Sequence, residues 1–284
     1  MRIDIRHETT YAYTEPVRSA IQLLRLTPRS TEAQFVRRWR VTVDADARLD
    51  RGEDAFGNIT HLAFVDGPLE RLRIMVEGEI ETSDTGGFVR GGIERLPESL
   101  FLRETSMTAA TPAIRALARN AMAGEGGDRL AGLHRINSEL KRDLRFVIGT
   151  TTAATTAADA FERKTGVCQD FAHIFITAAR AVSVPARYVA GYYLRTDTTI
   201  QEAGHAWAEA FLPGFGWLAF DPAQGTCATE RHVRVAVGGD CNDAAPVRGA
   251  RTGGVAEALS VAISVTQGRT IVDGASTMSQ MQQQ

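Results

Sequence analysis

The spacing of apolar residues changes period near residue 90, from strand-like to helical, and that change limits the folds open to this chain. Before it, apolar or small residues recur at every second position, as in Leu72, Ile74, Val76, Gly78 and Ile80. Successive side chains of a strand point to opposite faces, so this pattern predicts half-buried strands. Strands are expected over residues 3–13, 21–26, 35–43, 58–65 and 72–80. Pro28-Arg29-Ser30, Phe56-Gly57-Asn58 and Asp66-Gly67-Pro68 separate them as turns. Strands at this spacing suggest a small sandwich or barrel.

After an aperiodic stretch, Ser83 to Gly92, the period becomes helical. Thr111-Pro112 opens one helix with a hydroxyl cap and a proline at the first position, and Gly124 to Gly127 ends it. Asp128 caps a second, in which Leu130, Leu133, Ile136, Leu140 and Leu144 face inward. Residues 157–163 and 168–182 read as further helices, and 186–194 as a strand. Residues 205–212 and 217–221 form a hairpin around Pro213-Gly214-Phe215-Gly216, and Val255 to Val265 is a last strand. The expected organisation is α+β: an all-β domain over 1–90, a mixed domain over 91–266, and a polar, disordered tail over 267–284.

A chain of 284 residues with 44% apolar content buries a sizeable core. Its 32 Lys and Arg against 34 Asp and Glu leave a net charge of −2, which gives no general attraction to nucleic acid or acidic membranes. No apolar run reaches the roughly 18 residues of a membrane span, and the start alternates charge with isoleucine, unlike a signal peptide. A cytoplasmic location is the expectation. Cys168, Cys227 and Cys241 are odd in number and widely spaced, with no Cys-x-x-Cys pair, which argues against a disulfide framework or a zinc ribbon.

One thiol stands apart. Thr165-Gly166-Val167-Cys168-Gln169-Asp170 puts Cys168 at a helix start, where the helix dipole favours thiolate over thiol. Alone, such a cysteine is more often a packed small hydrophobe. His205 and Asp221 add the rest of a set, since one opens a hairpin strand and the other closes its partner. An aspartate there can take the Nδ1 proton and aim Nε2 at a third group. The two share a face only if opposed positions sum to an even number, which requires a three- or five-residue loop or a bulge. Nucleophile, base and orienter together suffice for acyl transfer through a thioester.

Gly166-Val167-Cys168-Gln169-Asp170-Phe171-Ala172-His173, Gly204-His205-Ala206-Trp207-Ala208-Glu209 and Gly216-Trp217-Leu218-Ala219-Phe220-Asp221-Pro222 resemble the bacterial transglutaminase-like family of cysteine proteases. The resemblance extends through Val184 to Tyr192, and to Thr9 to Tyr13, Leu23 to Arg29 and Asp54 to Asn58 of that family's N-terminal β domain. It implies a papain-like α+β core, with Cys168 as nucleophile, His205 as general base and then acid, and Asp221 as orienter. It also implies a peptide or protein amide substrate with no cofactor, and the charge balance adds the expectation of no nucleic-acid or membrane partner. The Cys168 amide is a natural oxyanion donor; Gln169 and the Thr150 to Thr156 loop are candidates for the second. Gly239 and Cys241 stand where relatives commonly read Gly-Arg-Asp-Tyr.

The remaining polar residues have plainer readings. His173 lies about 140° round the helix from Cys168 and belongs with Asp170, Thr177 and Arg180 to a solvated or domain-facing stripe. Trp207 and Trp217 read as hairpin packing, Cys227 and Cys241 as ordinary thiols, and His7, His61, His134 and His232 as structural or surface residues without partners. Two other classes stay open: a zinc site built on Cys168, His205 and Asp221, and an idle binding module of the same fold. Within the enzyme reading, hydrolysis is favoured over amine transfer, because no acidic calcium-binding loop is evident.

Overall fold

The computed structural model describes residues 1–123 and 128–268. Two long strands, β1 (Arg2–Thr27) and, later in the chain, its antiparallel partner Ile59–Thr82, organise the N-terminal sheet. Between them come β2 (Gln34–Val43) and β3 (Ala47–Glu53); Ile59–Thr82 is β4, and both pair with it. Ile3, Ile5, Leu24 and Leu26 of β1 face the core, as do Leu72, Ile74, Val76 and Ile80 of β4. The β1–β4 ladder shifts register between Ala12 and Ser19, where the strands bend. The four strands expected over 3–13, 21–26, 58–65 and 72–80 are therefore halves of two. Asp66-Gly67-Pro68 is a bend within β4 and not a turn between strands, because both flanks stay paired to β1.

β5 (Phe88–Val89) leads to the helices. α1 (Pro112–Met122) is capped by the Thr111 hydroxyl and α2 (Arg129–Asp143) by the Asp128 carboxylate; the expected Gly124 to Gly127 break lies outside the described residues. β6 (Arg145–Phe146) pairs in parallel with β7 (Thr165–Gly166), and α3 (Ala157–Arg163) lies between them in the chain. α4 (Cys168–Ala181) runs through the middle, with α1, α2 and α3 and the second sheet all packed on it.

That second sheet is built from β8 (Ala186–Tyr193), β10 (His205–Leu212), β11 (Gly216–Asp221), β12 (Thr226–Cys227) and β13 (His232–Gly238), while the short β9 (Ile200–Gln201) joins the first. Its order is β12-β11-β10-β8-β13, with β5 against β11. β14 (Val247–Gly253) and β15 (Glu257–Gln267) return to the first sheet, each along one half of β1. Placing 247–266 with the second domain is corrected by this pairing: β1 has a second open edge, and Ile263 and Val265 complete the core around Ile3 and Ile5. The tail expected from 267 begins inside β15, where Gln267 pairs with Ile3, and 269–284 lie outside the described residues.

The two sheets share a core in which Ile3, Ile5, Ile80 and Ile263 meet Tyr192, Leu194, Val233 and Val235. Two side-chain amides fasten the outer edge of β13 as well. Gln34 donates to Arg234 O at 2.7 Å and accepts from its N–H at 2.8 Å, and Asn58 does the same for Val237 at 2.7 and 2.8 Å. Each supplies the partners that a further strand would have given.

Candidate active site

Asp170 sets the start of α4. Its Oδ2 accepts from the Val167 N–H at 2.8 Å and from the Thr151 hydroxyl at 2.7 Å. A Cβ on Gly166 would stand 2.7 Å from this side chain, so glycine is required at the closing turn. Cys168 follows as the first helical residue, half-buried.

β10 and β11 pair from Ala208↔Phe220 to Leu212↔Gly216, so the loop is the three residues Pro213-Gly214-Phe215 and opposed positions sum to an even number. His205 and Asp221 thus share a face, as the hairpin argument requires. His205 packs level with Gly191 of β8, where a Cβ would stand 2.1 Å from Val233 O and 2.7 Å from the Trp207 ring.

His205 Nε2 donates to Asp221 Oδ2 at 2.6 Å. The ring is therefore turned opposite to the expected Nδ1 contact. The register puts Asp221 two residues short of the position level with His205, and the far ring nitrogen spans that offset. The Cys168 side chain also acts on the imidazole and helps to raise its pKa, and Nδ1 is the ring nitrogen not engaged by Asp221. Burial lowers the His205 pKa, but the Asp221 charge and hydrogen bond, helped by Cys168, outweigh it and hold the imidazole at about 10. Burial also pushes the Asp221 carboxyl up, yet His205 and His232 hold it far below the usual carboxylate range.

His232, expected to have no partner, belongs to this site. Its Nε2 lies 3.0 Å from the same Asp221 Oδ2, and its Nδ1 accepts from the Thr229 N–H at 3.0 Å. Asp221 Oδ1 accepts from the Ala223 and Gln224 amides at 3.0 and 3.1 Å. Tyr193 and Trp207 wall the two imidazoles, with ring centroids 4.8 and 5.2 Å from His232 and 5.1 and 6.0 Å from His205.

The stripe of Asp170, His173, Thr177 and Arg180 is buried and not solvated, because α4 is covered on every side. His173 Nε2 accepts from the Cys241 N–H at 3.1 Å, and Arg180 donates to the Phe101, Ala186 and Gly239 carbonyls. The stripe thereby ties the 239–241 loop to the helix that carries Cys168. Burial holds the Cys241 thiol up at about 12 and also raises Cys227. Trp207 and Trp217 are buried packing residues. His7 bridges the Tyr192 hydroxyl and Thr9 inside the inter-sheet core.

His205, Asp221 and His232 each offer an atom within 4.8 Å of the others, a spacing able to hold a metal ion. The zinc set considered from sequence does not converge, however. Among the described residues Cys168 is not part of that cluster, so its thiol does not come together with His205 and Asp221 around one point.

A thiol on a buried helix facing histidine and aspartate on an adjoining antiparallel sheet defines the papain-like α+β class. The chain belongs to the transglutaminase-like superfamily: that family's model matches residues 115–222, and the model of the bacterial transglutaminase-like N-terminal region matches residues 3–81. An uncharacterized Mycobacterium leprae protein is 29% identical over 94% of this chain and 99% of its own length. An uncharacterized Mycobacterium bovis protein is 30% identical over 87% of each. The crystal structure of a candidate cysteine protease from Cytophaga hutchinsonii has the same fold, with a TM-score of 0.72 at 19% identity over 95% of this chain and 91% of its own.

Proposed function

We propose that the protein is a cysteine acyl-transfer enzyme acting on peptide-like amides. The observation that carries this reading is the single imidazole of His205, bonded to Asp221 through Nε2 and coupled electrostatically to the Cys168 side chain at the start of α4. In the proposed cycle the Cys168 thiolate attacks the carbonyl carbon, and the proton on His205 passes to the leaving amine as the C–N bond breaks. A thioester remains on Cys168. Water, deprotonated by His205, resolves it to a carboxylate, which makes the enzyme a protease or amidase. The helix-start amide of Cys168 supports the oxyanion.

The test is alkylation by iodoacetamide from pH 5 to 9, read at Cys168 by peptide mass spectrometry. Fast labelling at pH 5 to 6 that disappears in His205→Ala is expected, because the imidazolium persists to about pH 10 and stabilises the thiolate beside it. Labelling only above about pH 8, as for an ordinary thiol, overturns the reading in favour of an idle binding module.

A further inference from the structure

We propose that His232 is a fourth member of this site: a neutral Nε2–H donor that shares Asp221 Oδ2 with His205 and thereby limits how tightly His205 holds its proton. The proposal rests on the catalytic reading of Cys168, His205 and Asp221. The superfamily match ends at Pro222, short of this residue.

The tautomer follows from hydrogen-bond chemistry. A backbone amide can only donate, so the Thr229 N–H at 3.0 Å requires a lone pair on His232 Nδ1. The single ring proton then sits on Nε2, which points at Asp221 Oδ2 from 3.0 Å. The arrangement is built in. His232 is 7% exposed at the start of β13, its backbone N–H bonds Thr229 O at 3.1 Å, and the Thr82 hydroxyl of the first sheet donates to Glu230 O.

The effect on His205 follows from charge. The titratable groups facing His205 among the described residues are Cys168 on α4, Asp221 on β11, Tyr193 on β8 and His232 on β13. Those facing Asp221 are His205 and His232. An unshared carboxylate oxygen in this buried place would concentrate its attraction on the His205 proton and make the imidazolium a poor acid toward the leaving amine. A second neutral donor spreads that charge without adding a competing cation. Removing it leaves Asp221 ionised but draws the His205 proton in more strongly, so the His205 titration moves up.

The experiment uses full-length protein carrying ¹⁵N-labelled histidine and Cys168→Ala, which removes the thiolate from the titration. His232 is expected to show a protonated Nε2 and an unprotonated Nδ1. His232→Phe, which keeps an aromatic ring against Trp207 and Tyr193, raises the His205 midpoint by about 0.5–1 unit. His232→Gln, which restores a neutral N–H near the Nε2 position, returns it toward that of the parent. A doubly protonated or Nδ1–H His232 overturns the proposal without needing any variant at that position. An unchanged midpoint in His232→Phe overturns it too, because a packing role would leave the titration alone. Iodoacetamide labelling of the unsubstituted protein separates the two readings: an inert Cys168 fails the enzyme, whereas a reactive Cys168 with an indifferent His232 fails only this proposal.

Discussion

Four donors converge on the Asp221 carboxylate, two amides on Oδ1 and two imidazoles on Oδ2, so its orientation is fixed from all sides. This makes Asp221→Asn informative. The Ala223 and Gln224 amides keep the side-chain oxygen, which turns the new NH₂ toward His205 and sets donor against donor. His205 then has to carry its proton on Nδ1, facing the thiol, and cannot take a proton from it. Labelling of Cys168 at pH 6 should fall on the order of a hundredfold while the fold persists; near-normal labelling would show that the carboxylate does not orient the base. Cys168, His205 and Asp221 were legible in sequence because each is a chemically distinctive residue at an element end, and strand parity ties two of them to one face. His232 was not legible. Its role depends on the Thr229 amide selecting a tautomer across a turn, and a lone histidine opening a strand carries no signal of that.

Between elements, the second sheet is held across three strands by one buried acid. Glu209 on β10 accepts from Arg187 on β8 at 2.6 Å and from Arg234 on β13 at 2.7 Å, and Arg187 also bonds Glu94. Burial alone would raise the Glu209 pKa, but Arg234 and Arg187 together hold it at about 2. A carboxyl depressed from 4.5 in this way contributes stability that is fully present above about pH 4.5 and is lost as pH falls toward 2. Glu209→Gln should therefore cost about 3 kcal/mol at pH 7, because part-buried Arg234 loses its charge partner and buried Arg187 keeps only the more exposed Glu94. In urea denaturation the gap from wild type should narrow by pH 3; Asp221 titrates alike in both proteins and cancels. A gap independent of pH would mean that packing, not charge, is what Glu209 supplies. Element ends were readable from their caps, Thr111 and Asp128 among them. The environment of α4 was not, since a polar stripe on a helix looks the same whether water or the 239–241 loop faces it.

Across the molecule, the N-terminal sheet works as a brace for the strand that carries His232. Alternation exposed the strand content of this region, but not its connectivity: β3 and β14 are mostly exposed edge strands with no apolar rhythm, and the return of β15 depends on the second edge of β1. Nor does any spacing in the sequence pair Asn58 with Val237, 179 residues away. That amide, 4% exposed, meets both backbone groups of Val237, and Gln34 meets those of Arg234 nearer the site. Asn58→Ala leaves a buried N–H and C=O unpaired, at a cost of about 2–4 kcal/mol. Because the loss falls on β13, the Val237 amide should exchange with solvent faster than amides of β10, which keeps both neighbours. Hydrogen exchange read by mass spectrometry on peptides covering 232–238 and 205–212 distinguishes this from uniform loosening. Equal acceleration in both, or none, would mean that the N-terminal sheet is merely attached to the second sheet and does not hold it in shape.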